Sequence, residues 1–331
     1  MKVGAGILGE ETSALAHSSG LVVVSGNCPT DVITASGKAV TATPDINSDL
    51  YWALAGGGGG TYGIVTSVTV RVYPGASTST ASLNYTLELA GSSGAFWAGI
   101  EMFQTHLTTL NDVVSPSQLD ELLLPFRAKL ETLGIEYTYA VNQFPTYLEA
   151  LDLTNPPRIS AGLFQQGGWL IPRAVLDTQS RNLTNIFRQW AHDGVLVAVF
   201  ATNASRKANG IAINAVIPAW RTAGINAQSL VFYSDADEAI HVENRRRIRD
   251  EYIPALQRLP PESGAYMNGA NWQHPNFQRA FYGENYARLL MIKHKYDPDG
   301  FFMLRLRLGV RGGWNEGTGD CVWRIERWAS I

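Results

Sequence analysis

The chain has 331 residues, with 26 Lys and Arg against 29 Asp and Glu for a net charge of −3. It has no basic run interleaved with aromatics, which excludes a nucleic-acid footprint. Apolar residues make up 45%, charged residues only 17%, and there are nine tryptophans, so the apolar surface available for burial excludes a disordered chain. No apolar run approaches the roughly 20 residues that span a bilayer, and Met1 to Glu10 reads as no signal peptide. Two cysteines, Cys28 and Cys321, cannot build a disulfide framework, and the six histidines show no metal-ligand spacing.

Residues 1–75 alternate short strand-like runs with turns. "GLVVVSG" predicts a strand and "GKAVTATP" a hairpin edge closed by proline. "NSDLYWALA" predicts a short helix capped by Ser48 or Asp49, and "GIVTSVTVRVYP" a β-branched strand ending at Pro74. Beyond residue 75, longer helices alternate with strands. "GAFWAGIEMFQTHLTTL" and "SQLDELLLPFRAKLETLG" predict helices, the second open to a break at Pro125. "IEYTYAV", "RISAGLFQ", "VLVAVFAT", "GIAINAVI" and "QSLVFYS" read as strands of one antiparallel sheet, partly covered by those helices. Arg245, Arg246, Arg247 and Arg249 share a helical segment whose Ile240, Ile248, Tyr252, Leu256 and Leu259 keep core spacing, so the cluster reads as a solvated face. From Gly264 on, "GENYARLLMIKHKYD" predicts a helix ended by Asp297-Pro298.

Between the helix at Asp49 and the strand that follows stand five glycines, Gly56 to Gly60. Gly58, Gly60 and Gly63 spell a formal G-x-G-x-x-G. A dinucleotide fingerprint needs its glycines between a strand and the helix after it, so that the helix N-terminus meets the pyrophosphate. Here the order is reversed, and that reading fails. Two uses of bare backbone stay open: positive φ with tight packing inside the chain, or close approach of a ligand.

"DLYWALAGGGGGTYGIVTSVTVRVYP" resembles the "DLFWAL-GGGG-x-FGVVT" signature of FAD-linked oxidoreductases of the vanillyl-alcohol-oxidase (VAO/PCMH) type, in their berberine-bridge-enzyme-like group. "GNCPT", "FPTYLEAL", "GGWLIPRAVL", "NAVIPAWR" and "GAYMNGANWQHPNFQRAFYGENYARLLMIKHKYDPDGFF" resemble further segments in the family's order, over nearly the whole chain. The resemblance implies an α+β fold: an incomplete PCMH-type FAD-binding domain from 1–75 and 264–331, and a substrate domain, 76–263, with an antiparallel sheet flanked by helices. It implies FAD as cofactor, held by Gly57, Gly58, Gly59, Gly60, Gly63, Ile64, Val65, Tyr282 and Asn285. Cys28 would link the flavin ring through a thioether. Tyr266 and Asn268 match the Y-x-N strand at the substrate pocket, where the Tyr266 phenol would take a substrate proton; the bland reading is a packed ring with a satisfied hydroxyl. The implied partners are a small-molecule substrate and dioxygen as electron acceptor, without nucleic acid, membrane or metal.

The chain departs from the family in places. A histidine-bearing pyrophosphate loop is expected ahead of its first residues, and "CPT" runs directly into "DVITASG", so several dozen expected residues are missing at Thr30-Asp31. "NEAD" has become Asn268-Gly269-Ala270-Asn271, and "VGSE-x-W" has become "VRGGW" at Val310 to Trp314. Two readings of different class follow. One is an FAD-linked oxidoreductase acting on a small alcohol, sugar or secondary metabolite. The other is a flavin-free descendant, a cofactor-independent cyclase, isomerase or small-molecule binder. A shortened product of an ordinary oxidase gene is a third.

Overall fold

The computed structural model describes residues 1–23, 30–110, 119–154, 164–205, 214–232, 238–260, 262–302, 310–314 and 321–325. In chain order its elements are β1 (Lys2–Gly4), α1 (Gly9–His17), β2 (Leu21–Val23), β3 (Thr30–Ile33), β4 (Ala39–Ala42), α2 (Ser48–Leu54), β5 (Ile64–Thr69) and β6 (Val72–Pro74). There follow β7 (Thr78–Asn84), α3 (Ser93–Leu110), α4 (Leu119–Thr132), β8 (Thr138–Phe144), α5 (Tyr147–Thr154), β9 (Phe164–Pro172), α6 (Arg173–Thr178), α7 (Ser180–His192), β10 (Leu196–Ala201) and β11 (Ala223–Phe232). Helix α8 (Glu238–Arg247) runs through a π-helical turn at Ile248–Tyr252 into α9 (Ile253–Gln257), and the tail holds α10 (Tyr286–Tyr296), β12 (Val310–Trp314) and β13 (Cys321–Ile325). The fold is α+β, and its strand pairs are antiparallel wherever a register is defined.

Contacts divide the chain into two compact units. Unit 1 comprises Met1–Tyr73, Asn209–Trp220 and Trp272–Ile331; unit 2 comprises Pro74–Ala208 and Arg221–Asn271. Two short segments differ from the expected boundaries. Asn209–Trp220 joins unit 1, where Ala215 N–H donates to Ala55 C=O at 2.9 Å. Residues 264–271 join unit 2, where Leu170 N–H donates to Gly264 C=O at 2.7 Å.

Unit 1 is built on a four-stranded sheet in the order β1-β5-β3-β4. The Thr30-Asp31 junction, where family residues are expected and absent, lies inside β3. Thr30 pairs with Ala42 and Val68, and Asp31 with Thr41 and Ser67, so one continuous central strand closes over the junction. Lys2 Nζ at 2.6 Å, Ser67 Oγ at 2.6 Å and Thr41 Oγ1 at 2.8 Å converge on the Asp31 carboxylate and hold it well below the usual carboxylate range. Helix α2 buries Leu50, Tyr51, Trp52 and Ala53. Its cap is Asn47, at φ +48°, rather than Ser48 or Asp49. Asp49 instead accepts from Lys295 Nζ at 2.7 Å and Tyr296 Oη at 3.0 Å.

Unit 2 holds a three-stranded sheet in the order β10-β11-β9 and a separate β7-β8 pair. The single sheet expected from sequence is thus divided among the described residues; most of "RISAGLFQ" lies outside them, and the described end of "GIAINAVI", Asn214 to Ile217, lies in unit 1. Helix α4 continues through Pro125, because Leu124 and Pro125 face solvent while Leu123, Phe126 and Leu130 are buried. The carbonyl freed by the missing N–H can meet water there. In α7 the buried residues Leu183, Thr184, Phe187 and Trp190 form one helical stripe, and the Trp190 ring packs at a tilt against those of Phe187 and Tyr252, at 5.8 and 5.6 Å.

Residues paired across an antiparallel ladder point to the same side of a sheet. The register Leu196↔Leu230↔Gln166 and Ala198↔Gln228↔Gly168 therefore gives one face carrying Gln166, Gly168, Gln228 and Asn226. The other face carries Gly167, Ser229, Val197 and Val199. Gly167 sits so tightly against Ile253 of α9 that a Cβ would lie 2.9 Å from Ile253 Cδ1, which places this second face under the helices.

Candidate functional site

In unit 1, α2 ends at Leu54, Gly57 N–H closes back on Ala53 C=O at 2.8 Å, and the glycine run turns the chain into β5. Gly56, Gly58 and Gly60 have φ of +138°, +102° and +69°, values that L side chains avoid. The chain itself explains most of these glycines. A Cβ at Gly56 would overlap the Val216 backbone, and at Gly57 it would overlap Tyr62 Oη and lie 2.7 Å from Ala53 O. At Gly63 it would stand 2.5 Å from Val32 Cγ1 and 2.6 Å from Ile33 O. Gly59 is different. It is exposed, its φ is not in the left-handed range, and its Cβ direction is open to 4 Å. Gly60 and Ile64 are also exposed, and Val65 is half-buried.

Gly56→Ala is expected to destabilise by on the order of 3 kcal/mol through backbone overlap and strain. Gly59→Ala should stay within about 0.5 kcal/mol of the parent. Urea unfolding of the two variants checks the contrast, and equal losses would contradict it.

The turn rests on a frame drawn from the far end of the chain. Asn285 Nδ2 donates to the carbonyls of Ala215 and Val216 at 3.2 and 3.3 Å, which fixes the segment that fills the space at Gly56. Tyr282 is fully buried, with its ring 5.8 Å from that of Tyr286. Lys293 of α10 is 2% exposed. It donates to Thr61 C=O and Phe302 C=O, both at 2.7 Å, and pairs with Asp297 one helical turn on. Asp297, 1% exposed, also accepts from the N–H groups of Phe301 and Phe302 at 2.7 Å each. Burial pushes the Lys293 ammonium down, against the pull of Asp297. Arg288 lies over the Trp52 ring at 4.0 Å. The Tyr62 hydroxyl is buried without a hydrogen-bond partner among the described residues, and burial raises its pKa. Cys28 lies outside the described residues.

His274, also in unit 1, is 8% exposed, accepts from Asn276 N–H at 3.2 Å on Nδ1, and is pushed down to about 4 from 6.5 by burial. Its folded pKa lies below its unfolded one, so stability is full above pH 6.5 and falls toward pH 4 as the unfolded chain takes up the proton first. The expected loss across that window is about 3 kcal/mol. His274→Gln should flatten this part of the stability–pH curve, and an unchanged slope would contradict the assignment.

In unit 2 the chain enters the short 3₁₀ turn Met267–Gly269 from Tyr266. Asn268 Nδ2 donates to Tyr266 Oη at 2.9 Å, and Gln166 Nε2 donates to Asn268 C=O at 2.8 Å. A Cβ at Gly168 would stand 2.6 Å from Gly269 O, and one at Gly269 would overlap Gln228 Nε2. The turn therefore lies directly on the Gln166–Gln228 face of the sheet. Tyr266 is 39% exposed, while Asn226 on the same face is 3% exposed with Oδ1 unpartnered among the described residues. A phenol with an amide donor on its oxygen favours negative charge building there. The surrounding amides offer both donors and acceptors to a hydroxyl-bearing molecule. Sequence reading named Tyr266 and Asn268 and did not name Gln166, Asn226 and Gln228, which the structure places on the same sheet face. Their signal was polar residues at two-residue spacing in "GINAQSLV" and a Gln before the paired glycines of "FQQGGW".

Residues 265–307 match the family described as berberine and berberine like. The chain is 31% identical to the FAD-linked oxidoreductase ZEB1 of Gibberella zeae over 386 aligned positions, covering 98% of this chain and 65% of that protein. It is 33% identical to the FAD-linked oxidoreductase sor8 of Hypocrea jecorina, covering 93% and 62%. The chain thus spans less than two thirds of the length of these relatives. The first alignment runs over 386 positions against a chain of 331 residues, so at least 55 of its positions are gaps in this chain. Among solved structures, the VAO-type flavoprotein MtVAO615 from Myceliophthora thermophila C1 superposes with a TM-score of 0.86 at 25% identity, over 98% of this chain and 69% of that one. The C-terminal match, the relatives and the architecture agree: the chain is similar over most of its length to FAD-linked oxidoreductases and to a VAO-type flavoprotein, and carries a berberine-like C-terminal segment.

Proposed function

We propose that the protein is an FAD-linked oxidoreductase that oxidises a small hydroxyl-bearing molecule, an alcohol, sugar or secondary metabolite, with dioxygen as the final electron acceptor. The observation that carries the reading is the Asn268 amide held on the Tyr266 phenol oxygen at 2.9 Å, on a sheet face lined with further amides.

FAD, when bound, supplies the hydride acceptor. The residues proposed to hold it are Gly58, Gly59, Gly60, Ile64 and Val65, with Gly57, Gly63, Tyr282 and Asn285 shaping the turn and Cys28 as the covalent attachment point. The fit rests on Gly59, whose Cβ direction is open to 4 Å, and on the exposed apolar Ile64 at the start of the strand into which the turn leads. Tyr266 takes the proton of the substrate hydroxyl at Oη as a phenolate, whose charge the Asn268 Nδ2–H donor stabilises, and the transfer leaves the phenol neutral. Gln166 fixes the turn that carries both.

The test is anaerobic incubation of the FAD-loaded full chain with a panel of primary alcohols and mono- and oligosaccharides. Bleaching of the oxidised flavin band by at least one of them is the expected result. Full flavin loading with no bleaching across the panel would overturn the substrate class. A folded chain that never retains FAD would overturn the oxidoreductase reading in favour of a flavin-free binder or isomerase.

A further inference from the structure

The helix-covered face of the unit 2 sheet contains a cavity of about 370 Å³. Its floor is one side of β10, formed by Val197, Val199 and Ala201, and its walls come from α3 and α7. By the ladder register this is the face opposite the one that carries Gln166 and Gln228.

Helix α3 presents Phe96, Trp97, Ile100, Phe103, Gln104 and Leu107 to the cavity. The spacing is that of one apolar stripe on a helix, and Gln104 interrupts it. The interruption is costly as it stands. Gln104 is 3% exposed, and neither its Oε1 nor its Nε2 has a hydrogen-bond partner among the described residues. Burying an amide without partners disfavours the fold, because its lost hydrogen bonds to water are not replaced. Leucine or methionine at the same position would fill the stripe without that penalty.

We infer that this cavity is a binding site for an apolar small molecule bearing one neutral donor–acceptor pair, such as a carboxamide, a lactam or a protonated carboxylic acid. The amide atoms are covered in the free chain; turned into the cavity, a primary carboxamide, with one acceptor and two donors in a plane, pairs head to head with a ligand group that offers one of each. The apolar remainder of the ligand lies against Phe96, Ile100, Leu107, Phe187, Val197 and Val199. The volume falls within the usual range for small-molecule pockets. An ionised carboxylate has acceptors only and would face Gln104 Oε1 unfavourably, so the head group is neutral. The site does not depend on flavin, and its failure would leave the oxidoreductase reading untouched.

Titration calorimetry of the full chain with octanamide and with methyl octanoate tests the inference, because the ester keeps the acceptor and the chain but loses the donor. Octanamide is expected to bind about tenfold more tightly, the worth of one buried hydrogen bond. Gln104→Leu should abolish that preference while raising the urea midpoint, and Val199→Phe, which fills the cavity, should abolish binding of both probes. Equal affinities in the parent, a preference that survives Gln104→Leu, or no binding of either probe would each overturn the proposal. A Gln104→Leu chain less stable than the parent would show a purely structural role and overturn it too.

Discussion

Lys293→Met is expected to lower the unfolding free energy by roughly 3–5 kcal/mol, a large share of the 5–15 kcal/mol typical of a domain. The size follows from what the ammonium holds. All three of its donors are committed, to Thr61 C=O, Phe302 C=O and the Asp297 carboxylate, and both charged groups are buried. Methionine fills the volume of the stem but leaves a buried carboxylate without its counter-charge and two carbonyls without a donor. The double variant Lys293→Met with Asp297→Asn removes both charges and should recover at least half the loss. Urea denaturation of the parent and the three variants of this cycle checks it. A loss below about 1 kcal/mol for the single lysine variant would show that the pair behaves as a solvated surface bridge.

Tyr266→Phe is expected to slow flavin reduction by about 10²–10⁴-fold, the usual worth of a positioned proton acceptor, with FAD retention and the urea midpoint unchanged. Folding should tolerate the change because Tyr266 is 39% exposed and the ring itself is kept. Asn268→Ala should fall between parent and Tyr266→Phe, since it removes the donor on the phenol oxygen and leaves the oxygen in place. Rapid-mixing reduction kinetics with a substrate that bleaches the parent provide the measurement. A Tyr266→Phe effect below tenfold would reduce the phenol to a binding contact.

Much of the local structure was legible in the sequence because it depends on near neighbours. The helix–glycine–strand order appears as α2, the turn and β5, and the order alone excluded a dinucleotide fingerprint. The helices α3 and α4 and the buried spacing of Ile248, Tyr252, Leu256 and Leu259 likewise follow from local periodicity, although Ile240, read on the same stripe, is exposed. What was not legible depends on distant chain. Gly56 is tight because of Ala215 and Val216, and Leu289 adds to the near neighbours that crowd Gly57; no local pattern announces those distant contacts. The fragment "NAVI" is β-branched enough to read as a strand of the substrate sheet, yet Asn285 and Ala55 tether it beneath the glycine turn. Pro125 was read as open to a break because the exposure of its own helix face could not be seen. Lys293 and Asp297 stood four residues apart in a recognised segment, and only their burial shows them to be a structural pair. Tyr266 and Asn268 came from the family motif, whereas the amides of β9 and β11 that join them required the strand register.

The central claim is that the open end of the glycine turn, at Gly59, is shaped for the cofactor and not for the chain. Its most direct test is the FAD affinity of the parent and of Gly59→Val, measured by flavin fluorescence quenching alongside urea unfolding of both. The prediction is saturable binding by the parent, at least about tenfold weaker binding by the variant, and the same unfolding midpoint for the two. Equal affinities at equal stability, or a folded parent that binds no FAD, would contradict it.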